Sequence, residues 1–359
     1  MRRRTFVGAL GGTALAGVAG CLTRDGERGG DEDTLRVATY DSMVDGNDPA
    51  GPWLKEAFEE EYPDAELEWQ TPENGTNRFI QREQSGEAPD ADVYLGLNVD
   101  ELARIDDALG EGGLFRKLDR DRLDRADRIR DGLDMGDPHD RVLAYDTGYI
   151  SLVYDENVVD EPESLDALTE PAYEDALLAQ NAQSSDPGRA FLLWTIDAYG
   201  EDGYLDYWRD LDANGVRILD DWDESYNSAY MEEERPMVVS YSTDQVFASA
   251  ADYDMGRHQI AFPDGQGYAN PEGMAIFEDA AAVDRAYQFF DFVLSDDAQA
   301  EIAQRNVQFP AVADDHVDLD EEFDRYAHEP SEAVTVGYDQ LRGTVDEWVD
   351  EWAREFAGQ

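Results

Sequence analysis

From residue 34 onward the chain alternates short apolar runs with stretches in which apolar residues recur every three or four positions. Runs of the first kind predict strands at 34–40, 65–70, 91–97, 143–155, 177–180, 216–219, 237–241, 260–262 and 273–277. The second pattern predicts helices at 53–62, 77–84, 100–109, about 120–130, 189–199, 204–214, 225–234, 280–294, 296–305 and 345–356, with a further helix starting over 164–168. Ala91 to Leu97 is nearly all apolar, as a strand covered on both faces must be. Residues 263–272 are rich in Gly and Pro and read as a turn between two strands.

Alternating strands and helices specify an α/β sheet, and about 325 residues exceed what one core usually holds. The run 143–155 is long enough to leave one lobe and enter another. The element order gives lobe 1 as about 34–143 plus about 259–312 and lobe 2 as about 144–258, with the C-terminal helices of 313–359 left unplaced. No internal repeat is visible. Ligands of open α/β sheets sit beyond the carboxyl ends of the strands, and a cleft between two such lobes can close on its ligand.

The N-terminus has a different character. Arg2 to Arg4, Thr5 and Phe6 precede an apolar run that ends at Gly20, which is the anatomy of an export signal over 1–20 of twin-arginine type. The run of about 14 residues falls short of the roughly 20 a membrane-spanning helix needs. Cys21, the only cysteine, closes Val18-Ala19-Gly20-Cys21, which resembles the lipobox of secreted lipoproteins. That resemblance implies a lipid on Cys21 and attachment to the outer face of the membrane. Residues 21–33 are polar and glycine-bearing and read as a flexible tether.

Composition then narrows the partners. Asp and Glu number 84 against 28 Lys and Arg, for a net charge of −56, and Lys55 and Lys117 are the only lysines. With 42% apolar residues this is no disordered acidic tail; it resembles haloarchaeal proteins, whose carboxylate surface stays hydrated in brine. Nucleic acid is excluded as a partner by repulsion. The same acidity makes carboxylate pairs uninformative, so Asp221-Trp222-Asp223-Glu224 and Asp314-Asp315-His316 read as solvated faces rather than metal or acid–base sites. There is no Gly-x-Ser-x-Gly or His-Glu-x-x-His, and His139, His258, His316 and His328 have no ligand spacing. An exported hydrolase is therefore disfavoured, and no enzymatic activity, catalytic residue, resident metal or cofactor is expected. Asn74-Gly75-Thr76 is a glycosylation acceptor pattern.

Ser184-Ser185-Asp186-Pro187-Gly188 opens a predicted helix, and free backbone N–H groups there suit an anion as well as a plain cap. In chain order, Thr39-Tyr40-Asp41-Ser42, Ala91 to Leu97, Asp146-Thr147-Gly148-Tyr149, Ser185 to Gly188 with Leu192-Leu193-Trp194, Trp222 to Tyr226, Ser240-Tyr241-Ser242-Thr243 and Trp348 to Trp352 together resemble the thiamine-binding proteins of ABC importers. The resemblance covers about 34–356. It implies a two-lobed periplasmic-binding-protein-like fold of type II, with a ligand cleft between the lobes, a monomeric state, and ABC permease subunits as partners.

Carried over residue by residue, the resemblance implies an aromatic cage of Tyr40, Trp222 and Tyr241, with Ser185 beside Ser184. Tyr226 follows Trp222 at a helical offset and supports it. Asp41, next to Ser42, is placed to balance a thiazolium or accept from an exocyclic amine. Ser184, Ser185 and the amides near Gly188 would seat a phosphate if thiamine phosphate binds. Two positions depart from the family pattern: Phe247 stands for a tyrosine, and Val307 stands where a tryptophan is usual, leaving Phe309 as a replacement wall. Iron-binding relatives use consecutive tyrosines, which this chain lacks, whereas polyamines suit acids and aromatic walls equally well.

Overall fold

In the computed structural model the described residues are 32–358, except 47 and 111. The export segment and Cys21 lie outside them. Eleven strands form one mixed sheet: β1 Thr34–Ala38, β2 Glu66–Gln70, β3 Val93–Leu97, β4 Val142–Tyr154, β5 Leu177–Gln180, β6 Arg217–Leu219, β7 Met237–Tyr241, β8 Gln259–Ala261, β9 Gln266–Ile276, β10 Phe309–Pro310 and β11 Glu332–Val334. Along the main path the order is β2-β1-β3-β9-β4-β7-β5-β6. β2, β1 and β3 run parallel, as do β7, β5 and β6. Between these two parallel groups the long strands β9 and β4 pair antiparallel.

β4 belongs to both groups. Its first residues lie beside β9 where β9 also pairs with β3, and Ile150 to Tyr154 pair with Tyr241 to Met237 of β7. The fold is therefore the α/β, two-lobed arrangement expected of the sequence, with β4 and β9 as the crossovers. Two irregularities interrupt the ladder, one at Gly96 between Leu95 and Leu97, the other at Tyr145 between Ala144 and Asp146. Bulges of this kind bend a strand and re-aim its side chains.

The first parallel group packs Leu35, Val37, Leu67, Val93 and Leu95 against Leu54 and Phe58 of helix Ala50–Glu61 and Phe289 and Phe292 of helix Val283–Val293. Helix Asp186–Tyr199 is buried continuously from Pro187 to Ile196. It packs with helix Tyr204–Ala213, where Trp208 meets Trp352 of the C-terminal helix Val345–Phe356 edge-on at 5.2 Å. That contact places the last helix. A buried Arg141 clamps Asp106 and Asp137, and Tyr338 donates to Asp106 at 2.5 Å, tying the C-terminal segment to helix Val99–Leu109. Among the described residues no helix is long and apolar enough to cross a membrane.

Four expectations change. Residues 120–130 form two single 3₁₀ turns rather than a helix, because the stretch has no apolar face to bury. The 164–168 helix is likewise only a 3₁₀ turn, Asp166–Thr169. The turn expected over 263–272 closes by Gly265, after which β9 runs eleven residues straight through Pro271. Proline is tolerated there because neither β3 nor β11 reaches that position, leaving β4 as the only neighbour. Finally, 223–230 is a π-helix, with Met231 N–H bonding Tyr226 C=O five residues back.

Candidate ligand-binding site

The crossovers form the floor. Side chains alternate along a strand, so Asp146 and Gly148 of β4 and Asn270 and Glu272 of β9 share one face. In register, Asp146 lies opposite Glu272 and Gly148 opposite Asn270. Like charges directly opposite on neighbouring strands are destabilising, and here Asp146 is fully buried. Tyr145 donates to Glu272 Oε2 at 2.5 Å, and Asn306 Nδ2 donates to Asp146 Oδ2 at 3.1 Å and to Tyr40 Oη at 2.8 Å. Asp146 Oδ1 has no hydrogen-bond partner in the protein.

Loss of hydration, then Tyr145 and Tyr40 bonding against it, sets Glu272; the balance lifts its carboxyl to about 7. Burial and the Glu272 charge raise Asp146 well above the ordinary carboxylate range. Glu101, in the first turn of helix Val99–Leu109, accepts from Thr76 Oγ1 at 3.0 Å. Burial, followed by the charges of Asp186 and Asp100, lifts it to about 8. The cation closest to this group, Arg189, already bridges Asp100 and Asp186, each at 3.1 Å. The cleft thus gathers more carboxyls than cations to pair them, and burial favours their protonated forms.

The aromatic walls stand on glycines. Tyr40 lies two residues beyond β1, and its half-buried ring lies so close over Gly96 that a Cβ there would meet it at 2.5 Å. Gly96 also has φ +98°, a conformation that favours glycine. Tyr241 ends β7 and lies over Gly148, where a Cβ would meet its ring at 2.6 Å and Gln308 Oε1 at 2.3 Å. Burial, then the Glu272 charge, raises both phenols, which stay protonated and polar-tipped.

Trp222 is half-buried, its indole N–H donating to Ser240 Oγ at 3.0 Å. One ring face stacks on Tyr226 at 4.7 Å and 9°. Trp222 immediately precedes the π-helix, four residues before Tyr226, and π-helical turns occur often at functional sites. Tyr226 is fully buried and its hydroxyl donates to Asp244, which also bonds His258 Nδ1 at 2.7 Å. Among the described residues no aromatic ring covers the other face of Trp222.

The remaining expected residues divide. Ser185 is buried and its Oγ has no partner, although Ser185 sits where a capping bond would form. Ser184 is exposed and donates to the Asp220 carbonyl at 2.7 Å. Gly188 serves packing: a Cβ there would meet the Gln180 carbonyl oxygen at 2.6 Å. Asp41 and Ser42 are exposed on a single helical turn. Tyr226 backs Trp222 rather than facing the cleft, and Phe247 packs behind it at 6.4 Å. Phe309 does not replace the wall at Val307, since it packs with Tyr149 and Phe323 at 5.3 and 5.8 Å. Val307 itself adopts a left-handed conformation, φ 54°, at the end of helix Asp296–Asn306. That cap fixes Asn306 on Tyr40 and Asp146.

Sequence reasoning named Asp146 only within a family segment and did not single out Glu272 or Glu101, the other carboxyls gathered here. Asp146 carried a usable signal, a charge inside an otherwise apolar strand run. A separate cavity of about 350 Å³ opens on the other face of the crossovers, lined by Thr147, Tyr149 and Pro271.

The family model for bacterial extracellular solute-binding proteins matches residues 91–343. A thiamine-binding periplasmic protein of Brucella suis is 28% identical over 324 residues, covering 89% of this chain and 91% of the relative. One from Escherichia coli is 28% identical over 321 residues, covering 89% and 92%. Among solved structures, a periplasmic thiamin binding protein superposes with a TM-score of 0.74 at 27% identity, covering 89% of this chain and 95% of that one.

Proposed function

This chain belongs to the family of bacterial extracellular solute-binding proteins, and from that premise we propose that it captures thiamine or its phosphates in the inter-lobe cleft and delivers the ligand to an ABC permease. The observation that carries the reading is the cross-strand pair Asp146–Glu272 beside the rings of Tyr40 and Tyr241. Two neighbouring carboxyls that hold their protons this tightly release them where a cation completes the site. Thiamine offers a permanent thiazolium charge and a flat aminopyrimidine, which the free face of Trp222 and the rings of Tyr40 and Tyr241 can stack, each contact worth about 0.5–2 kcal/mol. Relatives of 28% identity named as thiamine-binding support the same ligand.

Asp146 and Glu272 take over the charge-balancing role first assigned to Asp41. The chain acts as a monomer, exported through its twin-arginine segment and held on the outer membrane face by lipid on Cys21. Its acid surface keeps it soluble in brine. Ligand bridging the two lobes favours their closed arrangement through its differential contacts, and the closed form docks on the permease.

Tryptophan fluorescence of the mature protein in molar salt, titrated with thiamine, its phosphates, spermidine and ferric ion, tests the reading. Saturable quenching by thiamine is expected. Quenching by spermidine or ferric ion alone would assign the cleft to another solute.

A further inference from the structure

We infer that Gln308 is a specificity-determining residue of the cleft, its side-chain oxygen accepting an N–H from the flat aminopyrimidine of the ligand. This rests on the thiamine reading of the site. Strand β10 sets the direction of the side chain. Phe309 and Pro310 pair antiparallel with Thr147 and Asp146, and the same register carried back one residue puts Gln308 opposite Gly148. Phe309 turns to the far face of the crossovers, where its ring packs on Tyr149. Side chains alternate along a strand, so Gln308 turns to the face that carries Asp146 and Gly148. A Cβ on Gly148 would meet Gln308 Oε1 at 2.3 Å and the Tyr241 ring at 2.6 Å, which sets the amide oxygen beside that aromatic wall.

Gln308 is 7% exposed, and its Oε1 has no hydrogen-bond partner in the protein. A buried acceptor left unpaired is costly, and such groups are rare in folded proteins. The donors around this one are committed elsewhere. The Tyr241 hydroxyl bonds Asn270, which in turn accepts from Asn98 Nδ2 at 3.2 Å. Tyr145 donates to Glu272, and Asn306 Nδ2 divides between Tyr40 Oη and Asp146 Oδ2.

The donor that satisfies Gln308 therefore comes from the occupant of the cleft. An aminopyrimidine brings a flat face for Tyr241 and, in the plane of that face, an exocyclic amine with N–H groups to give. A ring of the same outline without the amine would stack equally well and leave the Gln308 oxygen unpaired. A site built to bond a ligand N–H rejects the analogue lacking it, because its own buried polar group is then stranded. Gln308 thus reads the amine, while the carboxyls below read the positive charge.

Calorimetric titration of the full mature chain in a fixed molar salt buffer, with thiamine and with the analogue in which hydrogen replaces the exocyclic amine, tests this as a cycle with Gln308→Met. Methionine keeps the length of the side chain and removes the amide. Wild type should bind the analogue about 30-fold or more weakly than thiamine. Gln308→Met should lose about tenfold for thiamine and less than about threefold for the analogue. Its Tm, followed by circular dichroism, should not fall, because the orphaned oxygen is gone. Gln308→Leu repeats the comparison with a second shape. An equal loss for both ligands, an unchanged thiamine affinity, or a lowered Tm in both variants would overturn the inference and leave the thiamine assignment standing. Failure of thiamine to bind the wild type would instead overturn the assignment beneath it.

Discussion

Replacing Glu272 by Gln separates charge from shape at the floor of the cleft. The amide is the same size and still accepts from Tyr145, so the change removes mainly the charge opposite Asp146. A carboxylate about 5–6 Å from a thiazolium, at an effective dielectric near 20, contributes on the order of 3 kcal/mol. Part of that is offset by easing the repulsion with Asp146, so a net loss of about 2 kcal/mol, or about 30-fold in Kd, is expected at pH 8.5. The pH dependence is the sharper test. With its carboxyl lifted to about 7, Glu272 is ionised at pH 8.5 and mostly protonated at pH 6, where the cation must first displace a proton. Wild-type affinity should therefore fall about tenfold between pH 8.5 and pH 6 from this group alone, close to one factor of ten per pH unit below its midpoint. Glu272→Gln lacks that dependence, so the gap between the proteins narrows about tenfold at pH 6. Fluorescence titrations with thiamine at both pH values, at one salt concentration, measure it. An equal gap at both pH values would refute the reasoning, because lost packing is indifferent to pH.

Other outcomes follow from the same structure. Gly148→Ala should weaken thiamine binding at least 30-fold by displacing Tyr241 and Gln308, with a lowering of Tm by no more than several degrees in thermal unfolding followed by circular dichroism. Because Glu101 and Glu272 titrate higher folded than unfolded, the unfolded chain loses their protons first. Ligand-free stability should accordingly fall as pH rises from about 4.5 to 8, with thiamine reversing the fall, as differential scanning calorimetry at constant salt would show. Trp352→Ala should cost about 3–5 kcal/mol in denaturant unfolding, since it removes the ring packed on Trp208 and Phe356.

Much of this molecule was legible because its signals are local. Apolar runs marked most of the larger strands and 3.6-residue spacing most of the long helices, and the 143–155 run was long enough to announce a crossover. Tyr40, Trp222 and Tyr241 were reachable through ordered family segments. What stayed hidden depends on register. Glu272 looks like any other acid in a chain with 84 of them until β9 is seen to continue through Pro271 and set it against Asp146. Gly96 and Gly148 gain meaning only when rings from distant strand ends settle on them. The π-helix was invisible for a different reason: Trp222, Tyr226 and Tyr230 recur at a spacing of four, which an α-helix also tolerates.

The same two strands carry the acids and join the lobes, and this bears on how cargo leaves. Pulling the lobes apart does not merely open a door, because it would admit water to the Asp146–Glu272 floor on the crossovers. The thiazolium would then face Asp146 and Glu272 through water instead of through a closed wall, at a fraction of the attraction. A transporter that pries this receptor open thus converts mechanical work directly into a lower grip on the cargo, without a separate release trigger.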